Sequence, residues 1–288
     1  MQMSDWGQRF GDYELHKTIA ARAAAIEPLV TDRDDAGEEL AVIGNAWSRS
    51  MFGGLFHVSQ PPSGDLPATN LVFVQSRDGN TVTNHPASLG GGDADKHLIY
   101  EGLSRVAADA VLAGARTVRN HQLVLSVWHP ELVALRSAMA LPRHPIQIVA
   151  TLHGVALEGG LMFNVPGVRV ILLTGARGAV AMRDALTARP WVTLVLMDDP
   201  ADPRAAFREL RRLGIERISC IGGRTLARPL LDAGLVQDLY LTTGIREGGA
   251  PGTPVSDKPL NGREVVRKEG TGADTGVVFQ HIVISSPL

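Results

Sequence analysis

Three short segments of this 288-residue chain combine small residues with a cation or hydroxyl directly behind an apolar run. They are Gly114-Ala115-Arg116-Thr117, Gly222-Gly223-Arg224-Thr225-Leu226 and Thr174-Gly175-Ala176-Arg177. Where a strand ends in such a turn and a helix begins, backbone N–H groups and the helix dipole stabilise a phosphate, and glycine lets it come close. Arg116, Thr117 and Arg119 add donors to the first turn, and Thr225 can cap the helix behind the second. Arg177 with Thr174 has the chemistry to fork a ribose 2′-phosphate. Each turn alone is equally a plain strand-to-helix connection. Together they follow three strand ends, and in open α/β sheets ligands bind beyond the carboxyl ends of strands. The third glycine and the acidic residue about twenty positions on that mark a Rossmann domain are missing, so that fold is disfavoured.

A second group of polar residues lies at Gln75-Ser76-Arg77-Asp78-Gly79-Asn80, followed by Asn84-His85-Pro86-Ala87-Ser88 and a triple glycine at 90–92. Such a stretch is either mobile over a site or a solvated turn. Asp93, Asp95 and His97 open the next predicted helix, where acids usually complement the dipole. The nine histidines show no metal-ligand spacing, so no metal is expected, and no serine sits in a nucleophile elbow. The single cysteine, Cys220, lies in an apolar run and reads as an inert core thiol in a reducing compartment.

Elements that could position these groups alternate from Asn70 onward. Strands are predicted at 70–76, 108–113, 146–151, 168–173, 192–197, 216–221, 236–243 and 277–285, with helices at 93–106, 115–121, 130–139, 177–188, 203–213 and 224–233. Near-continuous apolar runs such as Val192 to Met197 indicate strands buried on both faces, hence a mostly parallel sheet between helical layers. The Gly/Pro-rich connection 244–262 before the last strand points to an antiparallel C-terminal edge. Residues 1–69 form an accessory segment, a helix over 16–30 plus a hairpin too small to fold alone; residues 70–288 form the main domain. A net charge of −2 gives no field for nucleic acid, and no apolar run spans a bilayer or forms a leader, which indicates a cytoplasmic protein.

In order and spacing, Ser76-Arg77-Asp78-Gly79, Ala108 to Arg119, Gly222 to Leu226 and Ala233 to Leu241 resemble the reductase half of the bifunctional riboflavin-biosynthesis deaminase/reductase, which shares the dihydrofolate reductase fold. The resemblance implies a homodimer that uses NADPH, held at 114–117, 174–177 and 222–226. It places Ser76, Asn80 and Ser88 beside a small heterocyclic or ribosylamino-pyrimidine-like substrate and makes Asp78, or water, the proton donor. No His-x-Glu or Cys-x-x-Cys zinc signature is present, so no deamination is expected. Ile221 stands where that family usually has a glutamate, and the first core strand lacks its lysine. These changes keep open a module on the same fold that binds nucleotide without turnover, and a hydride donor other than NADPH.

Overall fold

The apolar runs do pair side by side, in one ten-stranded sheet. A computed structural model of the chain describes residues 3–60, 64–119, 122–197 and 203–285. Its strands are β1 (Val30–Asp34), β2 (Leu40–Ile43), β3 (Phe56–Ser59), β4 (Ala68–Gln75), β5 (Ala110–Gly114), β6 (Ile146–Thr151), β7 (Val170–Thr174), β8 (Val192–Leu196), β9 (Arg217–Cys220), β10 (Asp238–Thr243), β11 (Gly262–Glu269) and β12 (Val278–Ile284). The helices are α1 (Met3–Ala23), α2 (Ala46–Met51), a wider π-type segment (Ala94–Leu103) continuing into α3 (Ser104–Val106), α4 (Pro130–Ala138), α5 (Leu161–Asn164), α6 (Ala176–Thr187), α7 (Arg204–Arg212) and α8 (Arg224–Asp232).

The sheet order is β1-β11-β12-β10-β4-β9-β5-β6-β7-β8, parallel from β10 to β8 and antiparallel from β10 outward to β1. Alternate residues point to opposite faces. Leu71, Phe73, Leu112, Ile148 and Cys220 therefore pack under Phe207 and Leu210 of α7 and Ala227 and Leu230 of α8. Val111, Ala113, Val149 and Leu172 meet Trp6 of α1 and Phe163 of α5, while Val72 and Tyr240 meet Leu98 and Leu132. This is a three-layer dihydrofolate reductase-like architecture.

Three expectations need correction. No α-helix follows Gly114: a single 3-10 turn, Thr117–Arg119, does, and the end of the predicted helix at 120–121 lies outside the described residues. The antiparallel edge has two further strands, β11 and β1. β1 is exposed throughout, so its strand character comes from backbone pairing with β11 and leaves no burial pattern to read. The N-terminal helix also runs earlier than 16–30. Gly7 and Gly11 lower helix propensity there, but Trp6 is buried and the Tyr13 hydroxyl lies 3.3 Å from the backbone N and O of Val124. At the other end Pro28 disfavours helix at the residue before it, and Leu29 enters the core.

One contact between the N-terminal segment and the main layer depends on pH. His129, the residue before α4, stacks on Trp47 of α2 with ring centroids 3.9 Å apart. Burial, then His97 and Arg22, push its pKa down to about 4. A depressed folded-state pKa gives stability that is present above the unfolded value and is lost as pH falls through the folded one. Stability should therefore decline from about pH 6.5 toward 4, by up to ~1.4 kcal/mol per pH unit from this group. His129→Phe keeps a stacked ring and removes the titration. Its urea midpoint should change less than the wild type's between pH 7 and 5, and equal changes would exclude His129 as the cause.

Candidate active site

Parallel strands end at one edge of the sheet, in the order β10, β4, β9, β5, β6, β7. Leu112 of β5 is in register with Cys220 of β9. Gly114 and Gly222 each lie two residues beyond this pair, so both turns leave neighbouring strands at the same edge. A Cβ added to Gly114 or to Gly223 would meet no atom within 4 Å, so both turns face open space. Gly222 is the reverse case: its φ is +77°, and a Cβ there would lie 2.8 Å from Cζ of Phe73. The Gly222–Gly223 peptide is cis. Gly223 is the N-cap of α8 with no side-chain cap, so Thr225, exposed in the first turn, does not cap. Of the first N–H groups of α8, that of Leu226 donates to the Gly223 carbonyl at 2.9 Å, which leaves those of Arg224 and Thr225 without an intrahelical partner.

The other two turns differ from this pattern. The Ala115 N–H is committed to the Ala150 carbonyl at 2.9 Å, which leaves Gly114, the exposed Arg116 and half-buried Thr117 as the accessible parts of that turn. Thr174 is fully buried, and its Oγ1 lies 2.0 Å from where a Cβ on Gly178 would be. Its side chain thus packs under α6, while Gly175, the N-cap of α6, and exposed Arg177 reach the edge.

On the β4 side the structure draws Ser76, Asp78 and Asn80 into one hydrogen-bonded turn. The buried Ser76 hydroxyl lies 3.2 Å from the Asn80 carbonyl and 3.0 Å from that of Gly248, and accepts the Asn80 N–H at 3.0 Å. Asp78 accepts from Asn80 Nδ2 at 2.8 Å and from the Gly248 N–H at 3.1 Å. Hydrogen bonds from Ser76 first, then Gly248, hold its carboxyl below the ordinary carboxylate range. Such a group is an ionised acceptor at neutral pH and a poor source of protons. Ser88 is not part of this knot. It is exposed in the 3-10 turn Pro86–Leu89, with its Oγ 3.1 Å from Thr83 Oγ1.

Sequence reasoning missed the part played by the Gly/Pro-rich connection after β10. Gly248 and Thr253 hold the 76–80 turn, the Thr253 N–H donating to Asn80 Oδ1 at 3.2 Å. Further on, Asp257 pairs with Arg224 and, at 3.3 Å, with Arg228. One loop thus spans both halves of the site, and its carboxylate already holds a guanidinium expected to meet phosphate. Asp95 read from the sequence as an acid complementing the helix dipole, since a first-turn acid carries no distinguishing signal except the triple glycine before it. Burial pushes its carboxyl up to about 6, with Asp274 acting in the same direction and the Thr242 hydroxyl against it. Cys220 is buried, its thiol pushed up to about 12. Among the described residues no group of three His, Cys, Asp or Glu could hold a metal, and no helix is long and apolar enough to cross a membrane.

A mostly parallel sheet with an antiparallel edge, and glycine turns behind two neighbouring strands, define a fold of the dihydrofolate reductase kind. Residues 67–265 match the RibD C-terminal domain family, and the chain belongs to that family. No curated protein matches it. Among solved structures it is similar to a pyrimidine reductase-like protein of Corynebacterium diphtheriae, with 18% identity, a TM-score of 0.63, and coverage of 77% of this chain and 93% of that one. The riboflavin biosynthesis reductase Rib7 of Saccharomyces cerevisiae gives 18% identity and a TM-score of 0.55 over 78% and 93% of the two chains. The Thermotoga maritima diaminohydroxyphosphoribosylaminopyrimidine deaminase/5-amino-6-(5-phosphoribosylamino)uracil reductase gives 20% identity and a TM-score of 0.57, over 77% of this chain but 57% of that one. The match therefore spans little more than half of the bifunctional protein.

Proposed function

We propose that this chain is an NADPH-dependent reductase acting on a small heterocyclic or ribosylamino-pyrimidine-like substrate, in the manner of the riboflavin-pathway pyrimidine reductases. The observation that carries this reading is the pair of glycines, Gly114 and Gly223, facing open space at the carboxyl ends of adjacent strands. Gly222, Gly223 and the N–H groups of Arg224 and Thr225 seat the pyrophosphate, with Leu226, whose own N–H is committed to the Gly223 carbonyl at 2.9 Å, closing the first turn behind them; Gly114 to Thr117 form the facing wall, and Gly175 and Arg177 receive the 2′-phosphate, with buried Thr174 supporting that turn. When bound, the reduced nicotinamide supplies the hydride. Ser76 and Asn80 shape the substrate side and Ser88 lies at its margin. Asp78 keeps the 76–80 turn locked to Gly248 as an acceptor, and water can supply the proton in its place. A cytoplasmic homodimer belongs to the same proposal.

Fluorescence titration with NADPH, NADH and flavins tests it. NADPH should bind at least tenfold more tightly than NADH, and Arg177→Ala should close that gap, since a charge-assisted hydrogen bond contributes about 1.5–3 kcal/mol. Asp257→Asn, which frees Arg224, should tighten NADPH severalfold at low salt and less at high salt. Absence of any nicotinamide binding would end the proposal. Ile221, buried among apolar side chains where the family has an acid, favours the second reading of a module without turnover. That reading requires tight NADPH binding with no oxidation by any pyrimidine, pterin or flavin precursor.

A further inference from the structure

Asp95 holds neither the cofactor turns nor the 76–80 turn, yet the loop before it is shaped around its carboxyl. The Asp95 N–H points to the Gly91 carbonyl at 3.4 Å. A Cβ on Gly91 would lie 2.8 Å from the Asp95 Cβ and 3.0 Å from its Oδ2, so only glycine leaves room there. Gly90 in turn accepts from the Ile245 N–H at 3.3 Å, which lays the glycine loop across the end of β10.

The carboxyl faces Thr242 of β10, which is in register with Val74 of β4, one pair short of the carboxyl ends of both strands. Leu71, Val72 and Phe73 are buried, whereas Val74 is half-buried. Thr242 itself is buried, so Asp95 sits just inside the strand-end edge, beside half-buried Val74 and on the same edge as Gly222 behind the next strand, β9. An acid that merely complemented a helix dipole would be solvated and ionised. This one is half-buried beside a second carboxyl, Asp274, which comes from the turn between β11 and β12. Tyr100 on its own helix also feels its charge, and Asp93 and Glu27 flank Asp274. Burial and Asp274 disfavour the Asp95 carboxylate, and the Thr242 hydroxyl offsets them only in part. A perturbed carboxyl at the strand ends of a candidate site, in a loop that only glycine at 91 lets close around it, is a mark of function.

We propose that Asp95 is the proton donor of the reduction, acting on the nitrogen or oxygen next to the carbon that takes the hydride. The hydride forms the new C–H bond, the π pair of the C=N or C=O bond moves to the heteroatom, and that pair takes the Asp95 proton as its O–H bond breaks. The carboxylate left behind regains a proton from solvent. This rests on the reductase reading above. A donor with its midpoint near 6 is half protonated there and about a tenth protonated at pH 7, so hydride transfer should slow about fivefold from pH 6 to 7 and about tenfold per pH unit beyond.

The test uses the full chain, Asp95→Asn and Asp95→Glu, with 5-amino-6-(5-phosphoribosylamino)uracil as probe. NADPH affinity should stay within twofold in both variants. Infrared titration without ligands should show a protonated carboxyl lost near pH 6 in the wild type and missing in Asp95→Asn. Single-turnover oxidation of NADPH should fall about 100-fold at pH 6 in Asp95→Asn and lose its pH dependence, with Asp95→Glu recovering part of it. Turnover by Asp95→Asn within threefold of the wild type at every pH overturns the proposal, as does a carboxyl midpoint below 5. If the probe binds without turning over, an affinity for it unchanged by Asp95→Asn and by pH shows that the carboxyl does not face the ring, which also overturns it. Failure of NADPH to bind the wild type is a different result, and it removes the reductase reading and with it the donor role.

Discussion

Gly222→Ala should cost the protein both stability and cofactor, whereas Gly223→Ala should cost it cofactor alone. Gly222 holds φ at +77°, and an alanine Cβ there would press on the Phe73 ring at 2.8 Å, with Cε1 at 3.2 Å. Phe73 belongs to the buried cluster under α8 and cannot simply swing away. The left-handed backbone costs about 1–2 kcal/mol in an L-residue and the overpacking about 1–3 kcal/mol. A loss of roughly 2–5 kcal/mol should follow, read as a fall in melting temperature of the order of 10 °C. At Gly223 φ is −73° and no atom lies within 4 Å of the added Cβ, so thermal stability should change by less than about 1 kcal/mol. The methyl nonetheless projects into the space assigned to the pyrophosphate, and NADPH affinity should fall at least tenfold. The contrast separates fold from site within one dipeptide. An unchanged NADPH affinity in Gly223→Ala would remove this turn from the cofactor site.

The same dipeptide shows what could be read from sequence. Two glycines behind an apolar run announce a close approach, and the central strands announce themselves because burial on both faces demands continuous apolar residues. Gly114 looked identical on paper. Yet its turn leads into three residues of 3-10 helix, and the Ala115 N–H is spent on β6, facts fixed by a neighbouring strand that local composition does not encode. β1 and β11 were invisible for a related reason. Val30–Asp34 has no buried side to betray it, and Gly262–Glu269 interrupts any alternation with Arg263, Arg267 and the buried Lys268. Lys268 can be buried only because its Nζ donates to Thr31 Oγ1 at 2.7 Å and to the Gly53 carbonyl at 3.1 Å, partners more than two hundred positions away. At the site, Ser76, Asp78 and Asn80 were legible as a polar turn. Their function as a knot was not, since Gly248 and Thr253 complete it from across the sheet.

Asp238→Ala should be the most damaging change outside the site, because this buried carboxylate joins the N-terminal segment to the centre of the sheet. Its Oδ1 lies 2.7 Å from His281 Nε2 on β12, and its Oδ2 accepts the Ser59 N–H of β3 at 3.1 Å. Two residues along β10, the Tyr240 hydroxyl donates to the His57 carbonyl at 3.1 Å, so β3 is pinned to β10 at two points. Both Asp238 and His281 are almost wholly enclosed. Removing one member of a buried hydrogen-bonded pair leaves the other without a partner and costs about 3–5 kcal/mol, a large share of the ~5–15 kcal/mol that holds a domain folded. Asp238→Ala with His281→Leu should recover part of that loss, since the orphaned imidazole is gone, while Ser59 stays unpaired. Urea unfolding gives the energies. Hydrogen exchange at 56–59 gives the second readout, because loosening at the pin should raise exchange in β3 well before β4 is affected. A penalty under about 1 kcal/mol with β3 still protected would mean that residues 1–69 are held without the Asp238 pin, by the packing of Phe52, Phe56 and Phe279 and the hydrogen bonds of Tyr240 and Lys268.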